Sequence, residues 1–131
     1  MGKDIHMYME YRSRKKKQYV YGGKFDNERL YGIFGIMADV FYDVKPLYPA
    51  RGLPGNVTRF VYEEYKKEGC EAHHASWLTA DELRECIDLA AARYSEDGDD
   101  NWLKPYEIVY SYLKDSDNAG EPSRVVFWFD N

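Results

Sequence analysis

Cysteine and long apolar runs are the features of which this sequence has least. Its 131 residues include only two cysteines, Cys70 and Cys86, and their spacing matches neither a CxxC motif nor a zinc signature. No apolar run approaches the ~20 residues that a membrane-spanning helix needs, and the first residues lack the charged-then-apolar order of a secretory signal. We therefore expect reduced thiols, a cytoplasmic protein and no membrane partner.

Positive charge is also scarce. Lysine and arginine number 18 against 23 aspartates and glutamates, which gives a net charge of −5 at pH 7. Binding to a long nucleic acid requires a basic face, so the composition argues against such a partner. The basic run Arg12–Lys17 lies between two strand-like segments and is typical of a solvated hairpin turn. The acidic stretch 95–101 does not follow the order of an EF-hand loop, which favours a solvated loop over a calcium site.

Aromatic residues, in contrast, are abundant. The chain contains 13 Tyr, 6 Phe and 3 Trp, which together make up 17% of its residues. Tyrosine combines an apolar body with a polar tip and favours interfaces and the walls of ligand sites. Packing in the core or at an interface is the commoner role of any single aromatic residue. The aromatic surface is therefore our candidate for self-association into a homo-oligomer.

Two segments near the N-terminus and one at the C-terminus read as strands. Residues 4–11 alternate between apolar and polar, which predicts a half-buried strand with Asp4, His6 and Glu10 on one face. Residues 18–23 read as its antiparallel return strand. Residues 124–130 are apolar on both faces, which is typical of a central strand.

The first predicted helix begins at Glu28, where Asp26 or Asn27 can cap it. It is apolar around nearly its whole circumference, which predicts a central buried helix. Gly32 and Gly35 lower its helix propensity. We interpret them as positions of close approach to the sheet or to a ligand.

Three further helices are predicted over residues 57–68, 79–94 and 105–113. Gly69 ends the first of these, the capping box Thr79-Ala80-Asp81-Glu82 begins the second, and Pro105 suits the first turn of the third. The proline-rich residues 43–56 form an extended loop. The chain therefore predicts a single α+β domain over 1–131: a small antiparallel sheet, made of the N-terminal hairpin and the C-terminal strand, packed against three to four helices.

The three histidines, His6, His73 and His74, lie in two short polar clusters. Histidine is the commonest metal ligand and the side chain that titrates near neutral pH. His6, His74, Asp4 and Glu10 have the ligand types of a zinc or manganese site, but their spacing is not that of a known metal signature. Local hydrogen bonding that ties a loop to a strand explains the same residues, so the sequence predicts no metal and no cofactor.

Catalysis without a metal is a second hypothesis, with His6, His74 and Asp4 as candidate catalytic residues. Ser76 beside His74, with Asp4 behind, has the residue types of a nucleophilic triad, yet no GxSxG elbow surrounds Ser76. His6 and His74 can also act as base and acid on a phosphodiester while Arg51 holds the phosphate.

Binding without chemistry is the third hypothesis. Arg51 can pair with a phosphate through two hydrogen bonds, and the Gly52 amide can approach an anion closely. The helix N-terminus near Thr79 favours negative charge, and Trp77 offers a flat face for a base. The predicted ligand site therefore contains Asp4, His6, Arg51, His74, Ser76 and Trp77.

Four motifs carry a resemblance to a known family. They are the N-terminal MGxDIH, the Arg51-Gly52-Leu53-Pro54 turn, the HxSWL element at His74–Leu78 and the terminal VVFWFDN. The chain resembles a family of small uncharacterised proteins of phage and prophage genomes, in which a cysteine is expected where this chain has Lys3. The acidic loop 95–101 looks like an insertion. The resemblance implies that the six predicted ligand-site residues belong together and that the setting is a bacterial host cell.

These observations lead to a functional hypothesis with two alternatives. We expect a phage-type accessory protein that binds a small phosphorylated ligand and sequesters a nucleotide second messenger of host anti-phage defence. The first alternative is a small phosphodiesterase or other hydrolase that uses the same histidine, aspartate and arginine residues. The second is a protein–protein inhibitor of a host enzyme.

Overall fold

A computed structural model describes residues 3–26 and 29–131 and contains one four-stranded antiparallel sheet. Its strands are β1 (Asp4–Arg12), β2 (Tyr19–Phe25), β3 (His73–Leu78) and β4 (Ser123–Asp130), in the order β2-β1-β4-β3. The predicted α+β fold is confirmed. β4 lies between β1 and β3, and its residues from Ser123 to Phe129 are all buried, as expected for a central strand apolar on both faces.

The alternation predicted for β1 is confirmed. Ile5, Met7 and Met9 face the main hydrophobic core, whereas Tyr8 belongs to a smaller core on the opposite face of the sheet. The hairpin to β2 closes at Ser13, whose amide donates to the carbonyl of Gln18 at 2.9 Å. The lysines and Arg14 of the basic run are exposed in this turn, in agreement with a solvated hairpin.

Four helices cover the two faces of the sheet: α1 (Tyr31–Met37), α2 (Arg59–Glu68), α3 (Ala80–Tyr94) and α4 (Lys104–Asn118). α1, α3 and α4 supply apolar side chains to the main core. α2 packs on the other face, where Val61 joins Tyr8, Val126 and Trp128 in the smaller core. No helix in the described ranges is long and apolar enough to cross a membrane.

The predicted helix starts at Thr58 and Thr79 are confirmed. The Thr58 hydroxyl accepts from the amide of Val61, and Thr79 and Glu82 exchange both hydrogen bonds of a capping box. Gly69 follows α2 at φ 61°, a left-handed conformation that glycine adopts without strain.

Three predicted features differ from the structure. α1 begins at Tyr31 rather than Glu28 and carries no side-chain cap; Asn27 and Glu28 lie outside the described residues. α4 continues to Asn118 rather than ending at Leu113, and its last turn is closed by the amide of Ala119, which donates to the carbonyl of Asp115. β3 is not among the predicted strands, since six residues interrupted by a bulge give too little alternation to indicate a strand.

Candidate functional site

The sheet register brings both histidine clusters to one end of the sheet. On β1, Asp4 lies opposite Asp130 and His6 opposite Trp128, and on β3, His73 lies opposite Phe129. The start of β1, the start of β3 and the end of β4 therefore lie at the same end of the sheet. The two clusters are neighbours in space although 67 positions separate His6 from His73 in the sequence.

The histidines nevertheless occupy opposite faces of the sheet. The His6 ring stacks on Trp128 with centroids 6.0 Å apart, on the α2 side, whereas the His73 ring stacks on Phe129, which belongs to the main core. The bulge between His73 and Ser76, with His74 at φ 53°, reverses the alternation of β3 and turns His73 to the main-core side. His74 contacts His73, and among the described residues no contact joins His6 to His74, the predicted acid–base pair.

His6 is the centre of a three-residue polar cluster on the α2 side. Its Nε2 lies 2.6 Å from Oδ2 of Asp130 and 3.6 Å from Oε1 of Glu68. One ligand atom from each of these residues can be chosen so that all three lie within 4.8 Å of one another. β1, β4 and α2 each contribute one residue, and between 20% and 28% of each side chain is exposed, so the cluster opens to solvent. We call it the His6 cluster.

Acidic side chains lie near the His6 cluster, although Lys67 pairs with Glu64 and Lys24 lies over the Tyr8 ring. Burial together with the charges of Glu64 and Glu68 raises the pKa of Tyr8, which neighbours the cluster on β1, to about 12. Glu68 is the last residue of α2, so the carbonyl end of the helix also faces this region. Because a helix C-terminus carries partial negative charge, the site favours a cation over a bare anion.

Two predicted metal candidates are bound elsewhere. The Asp4 carboxylate accepts from Nε of Arg29 at 2.5 Å, and this hydrogen bond lowers the pKa of Asp4. Glu10 is fully buried, where it pairs with Arg124 at 2.7 Å and accepts from the amide of Thr58. Within the described residues neither belongs to a metal-competent cluster.

Arg51 makes a second polar centre, which holds the loop before α2 against β3. Its two terminal nitrogens donate to the two carboxylate oxygens of Glu82 at 2.8 and 2.5 Å, and one also donates to the carbonyl of Trp77. The guanidinium lies between the rings of Tyr48 and Trp77, 4.9 and 4.6 Å from their centroids. The hydrogen bonds between Arg51 and Glu82 raise the pKa of Arg51 and lower that of Glu82.

The neighbouring backbone is equally engaged. The Arg51 amide donates to Oγ of the fully buried Ser76, and the Gly52 amide, predicted to approach an anion, donates to the carbonyl of Ala75. Arg51, Ser76 and Trp77 thus lie together as predicted, but their polar groups bond to the protein itself. Ser76 does not meet His74 and Asp4 in the arrangement of a nucleophilic triad.

The second histidine cluster forms a short chain of contacts. Nδ1 of His73 lies 2.7 Å from Nδ1 of His74, and Nε2 of His73 lies 3.1 Å from Oδ1 of Asn131, which also accepts from Lys3. Burial and the charge of Lys3 lower the pKa of His73, so its ring is neutral at pH 7. A lysine at position 3 therefore works against a cation at this cluster.

Glu68 and Asp130 are the functional candidates that sequence reasoning missed. The sequence places Asp130 at the end of a predicted strand and Glu68 at the end of a predicted helix. The signal available for Asp130 was the antiparallel pairing of the first and last strands, which brings their polar ends together.

Comparisons of the chain with protein-family models, with curated proteins and with solved structures give no match. The phage-family resemblance stays a prediction.

Proposed function

We propose that this protein binds a small phosphorylated ligand through a divalent cation held by His6, Glu68 and Asp130. The observation that carries the proposal is the convergence of one imidazole and two carboxylates from three chain segments. One nitrogen and two carboxylate oxygens are suitable ligands for Zn²⁺ or Mn²⁺.

The distances from Nε2 of His6 to the two carboxylates need only a small adjustment for an ion. Atoms bound tetrahedrally at about 2.1 Å from an ion lie about 3.4 Å from one another. Nε2 of His6 and Oε1 of Glu68 are 3.6 Å apart, which is close to this value. Oδ2 of Asp130, at 2.6 Å from Nε2, would move outward by roughly 1 Å, which a rotation of its side chain supplies.

A bound cation would also allow the negatively charged His6 cluster to accept a phosphorylated ligand. Two carboxylates face one imidazole, so the cluster carries net negative charge even when His6 is protonated, and a phosphate alone would be repelled. The guanidinium fork of Arg51, the sequence's candidate for the phosphate, is engaged with Glu82. Three protein ligands leave at least one open position on the metal, and a phosphate oxygen can fill it.

The ligand class comes from the resemblance described above. A phage-type accessory protein that binds a phosphorylated molecule would sequester a nucleotide messenger of host defence without needing to alter it. The alternative function, hydrolysis of a phosphodiester, was predicted without a metal; at this cluster the metal would activate water. Recovery of the nucleotide after binding therefore distinguishes sequestration from hydrolysis.

The first experiment is a calorimetric titration of the metal-free protein with Mn²⁺ and Zn²⁺. We expect one ion per chain, no binding by the His6→Ala variant, and affinity at least tenfold lower for Glu68→Gln and Asp130→Asn. Glu63→Gln, on the same helix with the same change of charge, is the matched control and should bind as the wild type does. His74→Ala controls for loss of a histidine outside the cluster. Equal binding by all variants would refute the metal site.

The second experiment adds a panel of cyclic and ADP-ribose-derived nucleotides to the metal-loaded protein and to protein treated with a chelator. Binding that requires the metal and returns intact nucleotide supports sequestration. Binding followed by a cleaved product supports the hydrolase instead. No binding of any member, with the metal in place, would refute the phosphorylated ligand.

A further inference from the structure

A cavity separate from the His6 cluster lies between α1, the loop that follows it and the chain after α3. Its volume is about 890 Å³, within the usual range of small-molecule sites. The aromatic lining residues are Tyr31, Phe41, Tyr94 and Trp102, and the acidic ones are Asp43, Glu96, Asp97 and Asp99. Lysine and arginine are absent from the described lining, and the cavity shares no residue with the His6 cluster.

Contacts within the protein position the aromatic walls. The ring of Tyr31 makes an edge contact with Phe41 at 5.6 Å, and the indole nitrogen of Trp102 donates to Oγ of Ser95 at 2.8 Å. Although packed, Tyr31 and Tyr94 are 42% and 44% exposed. Both side chains are therefore partly accessible and line the cavity.

Gly32 makes room between these walls. A Cβ at this position would lie 3.0 Å from Cδ2 of Tyr94 and 3.6 Å from Cη2 of Trp102. A Cβ would press on the Tyr94 ring, which would have to move by a few tenths of an ångström, while its contact with Trp102 would be an ordinary one. The close approach predicted for Gly32 is thus real, but it is to Tyr94 and Trp102 rather than to the sheet.

The carboxylates that line the cavity form few ion pairs or hydrogen bonds within the protein. Within the described ranges no lysine or arginine lies within ion-pair distance of Asp43, Glu96, Asp97 or Asp99. Asp99 accepts from the amide of Asn101, which leaves the other three carboxylates for a ligand. Like charges gathered without a counter-ion attract a cation and repel a phosphate.

From this combination we infer that the cavity binds a small organic cation, an alkylammonium or quaternary ammonium group. The negative faces of aromatic rings attract such a group, and the surrounding carboxylates add long-range attraction. A bare metal ion would gain little from four aromatic walls. A neutral apolar molecule would gain nothing from the carboxylates. This site is independent of the proposed function at His6.

The test uses choline as the probe and 3,3-dimethylbutan-1-ol, its uncharged analogue of the same shape, as the control ligand. Binding is followed by the NMR signal of the Trp102 indole N–H, in the presence of a chelator so that no metal contributes. We expect choline to shift this signal and the neutral analogue to bind at least tenfold more weakly. Equal binding of both ligands, or no binding of choline, would overturn the inference.

Charge variants locate the site. Asp43→Asn with Asp97→Asn should weaken choline binding at least fivefold, and asparagine suits the left-handed backbone of Asp97, at φ 53°. The double variant Asp81→Asn with Asp115→Asn removes the same charge from exposed positions elsewhere and should bind choline as the wild type does. An equal loss in both double variants would assign the attraction to overall charge and overturn the assignment to this cavity.

Discussion

Glu82 accepts hydrogen bonds from both terminal nitrogens of Arg51 while also closing the capping box of α3 with Thr79. One carboxylate therefore fixes the start of a helix and the loop before α2. Because Gln can still accept from the Thr79 amide, Glu82→Gln removes the ion pair and keeps the cap. We expect the variant to lose about 1–2 kcal/mol of unfolding free energy at pH 7, measured by urea denaturation.

The same variant has a defined pH signature. The pKa of Glu82 is lowered in the folded protein, so its ionic stabilisation is complete above the unfolded pKa of about 4.3 and is lost as pH falls through the lower folded value. The difference in unfolding free energy between wild type and variant should be full at pH 7 and shrink below about pH 4. An unchanged difference at pH 3 would contradict this account of the pair.

Glu10 and Arg124 form the most buried ion pair among the described residues. Their side chains are 0% and 5% exposed, and the Arg124 guanidinium lies 3.6 Å from the centroid of the Tyr19 ring. Glu10→Gln leaves a buried charge without its partner, so we expect a loss of about 3–5 kcal/mol in urea denaturation. Glu63→Gln breaks an exposed pair with Arg59 and should cost less than about 1 kcal/mol. A similar small cost for both variants would contradict the structural role of Glu10.

Gly35 lets α1 approach the loop that follows it. A Cβ on this residue would lie 2.6 Å from Cγ1 of Val44 and 2.7 Å from its Cβ, which no side-chain rotation relieves. We expect Gly35→Ala to lower stability by about 1–3 kcal/mol, despite its better helix propensity. Adding Val44→Gly, which removes both of these atoms, should restore part of that loss, and Gly55→Ala, with open space around it, should have little effect. Two additive losses would show that the clash is not the cause.

The two cysteines should differ in reactivity. Cys86 is fully buried, and burial raises the pKa of its thiol to about 12, whereas Cys70 is exposed. Because the thiolate is the reactive form, a thiol reagent should label Cys70 rapidly in the native protein and both cysteines in denaturant. Rapid labelling of Cys86 in the native state would contradict the packing of α3.

Local signals in the sequence account for the secondary structure better than for the site. The alternation along β1 and the caps at Thr58 and Thr79 depend on neighbouring residues, so each is visible without a structure. β3 was not predicted because its bulge interrupts the alternation of side chains between the two faces within only six residues. Partners across the sheet depend on register and bulges, which no local pattern reveals. The face reversal that separates His73 from His6 is such a case.

The site also shows why residue type alone could not predict the role of each site residue. An arginine suited to a phosphate is equally suited to a carboxylate, and only the fold shows that Glu82 lies within reach of Arg51. Likewise, the ligand types for a metal were predicted around His6. The residues that meet it, Glu68 and Asp130, come from a helix end and a strand end far along the chain. Long-range placement, not local chemistry, was the missing information.

The central claim is that His6, Glu68 and Asp130 hold one divalent cation. Crystals grown with Mn²⁺ and measured at a wavelength where manganese scatters anomalously test it most directly. We predict one anomalous peak per chain, bonded to Nε2 of His6 and to oxygens of Glu68 and Asp130 at about 2.0–2.3 Å. A map without that peak, in which the hydrogen bond between His6 and Asp130 persists, would contradict the claim. A peak at His73 and His74 instead would contradict it equally.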